Sequence, residues 1–345
     1  MAIETNITKM LGIKHPIIAA PMGPFYTTEL SVAVSEAGGL GILSHIGLSD
    51  KDPVEEMKKD MEYIVEHSDK PFGFNIRTSR MEPYADILCM DIPEFIMENS
   101  KIKEQCVYAL TSAGSAKTLP NSKSFQKLKE SGSQIKHFHV APALWLADKC
   151  VAAGVDGIVV TGGEGGGHQS YEKISTLVLL QQVQQKFPDL PKIACGGFAT
   201  GEGLAAALSL GAGAVAMGSR FIASKESEFH DTYKNVVPPA TARDTILSTG
   251  VFGPIRLWKN EYSLHQGLVT TKEEKMALEA SMDAEELIKT VRAYELAYEG
   301  NITDGAVLLG QSIGVIDSIE SVSDIIEKIM KDAEAAIRKA ANLIR

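Results

Sequence analysis

The chain has 345 residues, enough for one β/α barrel of about 250 residues with an appended segment. Apolar residues make up 44% and charged residues 23%, ordinary globular proportions, and no run reaches the roughly 18 uninterrupted apolar residues of a membrane span. A net charge of −10 without a basic cluster argues against nucleic acid as a partner, because phosphate backbones require concentrated Lys and Arg.

Short apolar or β-branched runs bounded by Gly or Pro alternate along the chain with stretches of helical apolar spacing, the pattern of repeated strand–helix units. They predict strands near 15–20, 40–44, 71–76, 105–111, 135–141, 157–162, 191–197 and 214–220, each followed by a helix. Eight such units predict an α/β fold, a TIM-type (β/α)8 barrel over 1–236. The first turn, APMGPF, lacks the GxGxxG of an open dinucleotide-binding sheet. Three joins, EAGGLG at 36–41, AAGVDG at 152–157 and SLGAGA at 209–214, place a glycine where a helix can end left-handed before the next strand. Beyond 237 the rhythm changes. Helices are expected over 283–299 and 321–345, so 237–345 reads as a mostly helical cap or flank on the substrate side, with Gln311, Ser312 and Gly314 as its possible ligand contacts. Its alanine-rich helices suit a homodimer and intramolecular packing equally.

The N-terminus lacks the parts of a secretory signal, so the expected location is cytoplasmic. Cys89, Cys106, Cys150 and Cys195 are scattered, without a CxxC pair, and are read as buried thiols rather than disulfide or zinc ligands.

In such barrels the loops after the strands build the active site. The first offers Ala20, Pro21, Met22 and Gly23, small residues and a thioether suited to lie against a ring. Asn75 ends the third run and can both donate and accept. His137 and His139 alternate on the fifth, so they share a face; without a third ligand in sight no metal is expected, and an inward-facing pair near the substrate is favoured. The sixth loop, TGGEGGGHQS, combines Gly166 and Gly167, which allow a flat ligand to approach the backbone, with His168, whose ordinary pKa suits proton transfer; Glu164 is read either as orienting a ligand or as solvated. The last two loops, ACGGFATGEG and AMGSRFIAS, present Gly196, Gly197, Gly201 and Gly203, then Met217, Gly218, Ser219 and Arg220. Single glycines commonly only relieve crowding at turns, but a pair of glycine loops here is where barrels hold a phosphate.

The segments IIAAPMGPFYTTELSVAVSEAGGLGIL, PFGFNI, GVDGIVVTGGEGGGHQS, KIACGGFATGEGLAAALSLGAGAVAMGSRFIAS and LLGQSIGVID resemble the nitronate monooxygenase (2-nitropropane dioxygenase) family and its relative, the FMN-dependent enoyl-acyl-carrier-protein reductase II. The resemblance implies FMN stacked near Ala20 to Gly23, its ring contacted by Asn75 and its phosphate held by Gly196, Gly197, Gly218 and Ser219. It also implies that His168, in the E-x-G-G-H motif, handles a proton beside the flavin. Gln169 and Ser170 stand where relatives carry Gly, segment 77–134 fits poorly, and RDTILSTGVFGPIRLWKNEY is more like the reductase branch. Three functions follow as expectations: oxidation of alkyl nitronates with O2; NAD(P)H-dependent reduction of an enoyl thioester or a quinone; or flavin binding without turnover. Each implies a small-molecule ligand, and the second adds NAD(P)H as co-substrate.

Overall fold

The computed structural model describes residues 3–48, 50–250 and 253–344; Arg345, the expected end of the last helix, and Val251 and Phe252 of the reductase-like stretch lie outside the described residues. Eight strands make the barrel: β1 (Ile17–Ala19), β2 (Gly41–Leu43), β3 (Phe72–Arg77), β4 (Cys106–Ser112), β5 (Lys136–Ala141), β6 (Gly157–Thr161), β8 (Lys192–Cys195) and β9 (Ala214–Met217). Each coincides with one expected run, its ends shifted by at most three residues. Their order is β1-β9-β8-β6-β5-β4-β3-β2, all pairs parallel. The ring closes where the Ala19 N–H donates to the Leu40 carbonyl (2.9 Å) and the Leu40 N–H to that of Ile17 (3.0 Å). At the three glycine joins Gly38, Gly154 and Gly211 have φ of +87, +71 and +90°, the left-handed ends that the sequence predicts.

Because successive residues of a strand face opposite ways, the barrel has two cores. Ile18, Ile42, Tyr108, Leu110, Phe138, Val159, Ile193 and Ala216 meet inside it, and the helix Asn6–Leu11 adds Ile7 and Leu11 below them. Each large side chain so buried contributes about 1.5–3 kcal/mol. Ile17, Ile158 and Val215 face outward, in a cluster that continues into Val322, Ile325, Ile326 and Ile329 of the last helix, Val322–Ala341. That helix lies on the helix Gly201–Ser209 so closely that a Cβ at Gly201 would stand 2.4 Å from the Ala333 nitrogen.

The segment after 237 is less helical than expected. Thr245–Gly250 (β10) and Gly253–Trp258 (β11) form an antiparallel hairpin, and β11 also pairs with the two-residue strand β7 (Gly167–His168). The sequence carries the signal, two six-residue runs rich in Thr, Ile, Leu and Trp with glycines at their facing ends, but the proline at 254 masks it, since Pro demotes a strand. Helices Lys272–Ser281 and Ala284–Tyr298 follow, each opened by a capping box, Thr271 with Glu274 and Asp283 with Glu286. Among the described residues no helix is long and apolar enough to cross a membrane.

Candidate active site

A cavity of about 950 Å³ opens at the ends of the strands, near the upper limit of roughly 300–1,000 Å³ for small-molecule sites. Its floor is the top of the inner core, Ile18, Tyr108, Leu110, Val159 and Ala216. Ala20, Pro21, Met22, Gly23, Asn75, Gly166, Gly167, His168, Gly196, Gly197, Gly218 and Ser219 all line it, so these residues, singled out in the sequence, come together.

Each is held by its surroundings. The first loop is fixed by the Met22 N–H donating to Ser44 Oγ (2.8 Å), with Ser44 tied in turn to Thr27. Ser112 Oγ donates to Asn75 Oδ1 (3.1 Å), which commits the amide oxygen and leaves the NH2 as the end with donors to offer. Gly196 and Gly197 have φ of +87 and +90°, a conformation that favours glycine. Ser219 Oγ accepts the Gly310 N–H (3.0 Å), which leaves its own hydrogen free to donate. Gly218 has nothing closer to its Cβ position than Ala20 Cβ at 3.8 Å. Positive-φ glycines, a hydroxyl donor and open space at the ends of β8 and β9 fit a bound phosphate.

Five other expected residues fall elsewhere. Glu164 Oε2 accepts from the Thr176 N–H (2.8 Å) and Oγ1 (3.1 Å), where the positive end of the helix Thr176–Lys186 stabilises the carboxylate. Met217 follows inward-facing Ala216 and so points outward, fully buried in the outer cluster. Arg220 also turns away and donates to the carbonyls of Ala223 (2.7 Å) and Ser318 (2.5 Å). Gly201 and Gly203 serve helix packing and capping rather than the cavity, for Thr200 Oγ1 already accepts the Gly203 N–H.

His137 and His139 require a larger correction. They share the face of Ala109 and Thr111, not the inward face of Tyr108 and Leu110; His139, at the strand's upper end, still reaches the cavity wall, whereas His137 does not. Both rings bond Thr111 Oγ1 at 2.7 Å, and His137 packs edge-on against Phe125 of the outer helix Lys123–Glu130. Burial lowers their pKa values to about 3 and about 4. Of the cysteines, Cys89, Cys106 and Cys150 are buried, but Cys195 ends β8 on the cavity wall. From the last segment only Ser312 of the three expected contacts lines the cavity; Gln311 donates its N–H to the Glu164 carbonyl (2.8 Å), and Gly314 packs on Ala242.

His168 sits in β7 opposite Ile255, and the next residue, Gln169, donates its N–H to the Pro254 carbonyl (2.7 Å). Desolvation lowers its pKa to about 3, with further contributions from the cations Arg77 and Lys275. The imidazole is therefore neutral near pH 7. Arg77 was missed in the sequence although it lies two residues beyond Asn75, on the same face of β3. Its Nε and Nη2 donate to Glu82 Oε2 (3.0 and 2.9 Å), and its N–H to Nδ1 of the fully buried His45 (3.0 Å). The guanidinium fits because Gly23 and Gly47 carry no side chain: Cβ atoms there would stand 3.2 and 2.6 Å from it. At the rim stand Arg80, Lys117, Lys149, Lys272 and Lys275, with Glu279 the one carboxylate among the lining residues.

A parallel β/α barrel with its glycine loops, a buried cation and a histidine converging in one cavity at the strand ends is the architecture of a barrel oxidoreductase. The model of the family described as nitronate monooxygenase matches residues 4–332. The chain belongs to that family, whose members are flavin enzymes. It is 28% identical to the nitronate monooxygenase of Paraburkholderia phytofirmans, over 96% of this chain and 97% of that one. It is 30% identical to the (3aS,4S,5R,7aS)-5-hydroxy-7a-methyl-1-oxo-octahydro-1H-indene-4-carboxyl-CoA dehydrogenase of Rhodococcus jostii, over 96% of each. Among solved structures, FabK of Thermotoga maritima superposes with a TM-score of 0.80 at 35% identity, covering 99% of this chain and 100% of that one.

Proposed function

We propose that the protein binds FMN and, with NAD(P)H as reductant, reduces the carbon–carbon double bond of an enoyl thioester. The observation that carries this reading is the cavity: about 950 Å³ accommodates a flavin with a second ligand beside it, apolar at the floor and cationic at the mouth. Full-length similarity to FabK, an enoyl-acyl-carrier-protein reductase, and to a dehydrogenase named for a CoA ester supports a thioester. Gly196, Gly197, Gly218 and Ser219 would hold the FMN phosphate, Ala20 to Gly23 would lie along the ring and Asn75 would meet its edge, with Gly166 and Gly167 opposite. Bound FMN supplies the two-electron redox chemistry.

The chain's own contribution is position and proton control. Desolvation and the cations Arg77 and Lys275 keep His168 neutral. Negative charge developing on the substrate opposes those cations and raises the affinity of the ring for a proton. His168 then takes up a solvent proton and delivers it to the α-carbon. In balance, enoyl thioester, NAD(P)H and one proton give saturated thioester and NAD(P)+, with the flavin returned to its starting state.

Nitronate oxidation with O2 is the second reading. A neutral His168 beside two cations favours it, because a nitronate enters already deprotonated and needs no strong base. Anaerobic stopped-flow absorbance separates the two. Rapid bleaching by NADH or NADPH and re-oxidation by an enoyl-CoA support the first; reduction by an alkyl nitronate alone replaces it with the second; a protein that retains no flavin overturns both.

A further inference from the structure

We infer that the cavity mouth holds a second anion site, separate from that of the flavin phosphate, in which Lys117, Lys149 and Lys272 bind the phosphate of a thioester's phosphopantetheine arm beside an aromatic ledge of Trp145 and Tyr171. This rests on the thioester reading above.

The three lysines are set apart by what surrounds them. Lys275 and Arg80 are both committed to Glu279, and Arg77 to Glu82. Among the described residues Lys117, Lys149 and Lys272 make no ion pair, although all line the cavity. Five cations and one carboxylate at the mouth of a chain with a net charge of −10 make a field that draws in anions. Glu172 and Glu273, whose charges reach Tyr171, temper that field without lining the cavity.

Position separates this site from that of the flavin. The glycine loops follow β8 and β9, whereas Lys117 follows β4 and Lys149 lies in the helix Leu144–Ala152 after β5, on another arc of the ring. Lys272 opens the helix Lys272–Ser281. The ledge is ordered: the Lys149 ammonium lies 4.7 Å from the centre of the Trp145 ring, and Trp145 stacks on Tyr171 at 6.3 Å with 20° between planes. Trp145, Tyr171 and the three lysines line the same cavity as His168, so the arm of a thioester reacting beside His168 would run outward past this ledge and bring its phosphate to the lysines. Coenzyme A and a carrier protein share that arm.

The test compares the same enoyl group on coenzyme A, on a carrier protein and on N-acetylcysteamine, which lacks phosphate, using FMN-loaded enzyme. In the triple variant Lys117→Gln, Lys149→Gln, Lys272→Gln, the kcat/KM preference for the coenzyme A ester over the truncated ester should fall about tenfold, roughly a factor of two for each exposed charge pair. Raising salt on the unmodified protein should erode the same preference, a readout independent of whether the variant folds. A preference for the carrier-protein ester that the variant also loses supports the site and names the protein-bound source; loss confined to the coenzyme A ester names the free one. An unchanged preference in both the variant and high salt, or a shift only in the KM for NADPH, overturns the site while leaving thioester reduction intact. Failure of the unmodified enzyme to reduce any of the three thioesters overturns the thioester reading itself and this inference with it.

Discussion

The neutrality of His168 has a measurable consequence for stability. Its pKa falls from an ordinary 6.5 to about 3 in the folded, ligand-free protein. A base with a lowered folded pKa leaves the unfolded chain binding more protons between those values, so its contribution to stability is present above pH 6.5 and lost as pH falls toward 3. The full difference, about 3.5 units at 1.36 kcal/mol each, sets a ceiling of about 5 kcal/mol, of which about 2 kcal/mol is lost between pH 7 and 5. His168→Gln keeps a polar side chain of similar reach and cannot titrate, so it should escape that loss. Urea unfolding of the flavin-free proteins at pH 7 and pH 5 tests this. With a slope of about 3 kcal/mol per molar urea, the midpoint of the unmodified protein should drop by about 0.7 M more than that of the variant. Equal drops would falsify the assignment: the imidazole would be protonated in the fold, and proton uptake on ligand binding could not be its role.

Thr111→Val removes the hydroxyl that two buried imidazoles share; with two ring nitrogens unsatisfied at about 1–3 kcal/mol each, stability should fall by roughly 2–6 kcal/mol while kcat, read at low temperature, holds. A kcat that falls in step would mean that His139, which reaches the cavity wall, acts on the ligand and is not merely part of the buried network. Gly197→Val forces a β-branched residue to φ of +90° at the phosphate loop. The protein should keep its far-ultraviolet circular dichroism and bind FMN at least tenfold more weakly, and undiminished FMN affinity counts against a phosphate at this loop. Glu279→Gln leaves Arg80 and Lys275 without their shared carboxylate; trypsin should then cleave within Lys272–Ser281 about tenfold faster through local opening, and an unchanged rate means that other contacts hold the helix.

The barrel was legible because eight parallel strands need eight short apolar runs, and the glycines of EAGGLG, AAGVDG and SLGAGA mark where each preceding helix must stop. The cavity lining was legible for the same reason: in this fold a residue just beyond a strand has only the mouth to face. Failures came where a residue's facing depends on more than its place along the chain. Glu164 lies within the glycine-rich loop, but a helix N-terminus behind the loop outcompetes the cavity for its carboxylate. His137 and His139 were correctly read as sharing a face, yet strand periodicity fixes neither whether that face is inner or outer nor that only His139, nearer the strand end, reaches the cavity. Registering them against Tyr108 and Leu110 requires the neighbouring strand. Arg77 was within reach of the same period-two reasoning that selected Asn75 and was simply not carried two residues further.

The hairpin changes how the appended segment should be understood. It does not merely cover the barrel: β11 pairs with β7, Arg256 Nε donates to the Gly163 carbonyl (2.7 Å), and Gln169 bonds the Pro254 carbonyl with its N–H while its side chain holds the Gly165 carbonyl (2.9 Å). The glycine-rich loop can therefore be flexible in composition and still present His168 at one position. The phosphate loops depend mainly on β8 and β9, whereas the placement of the histidine and part of the cationic rim depend on the segment after 237. On the proposed placement of FMN, such a division would let substitutions in that segment, or at Gln169 and Ser170, change the substrate side of the cavity without disturbing the glycine loops. On the proposed function, substrate choice would then be decided at the hairpin, the lysine-bearing helix and the loop they tie down.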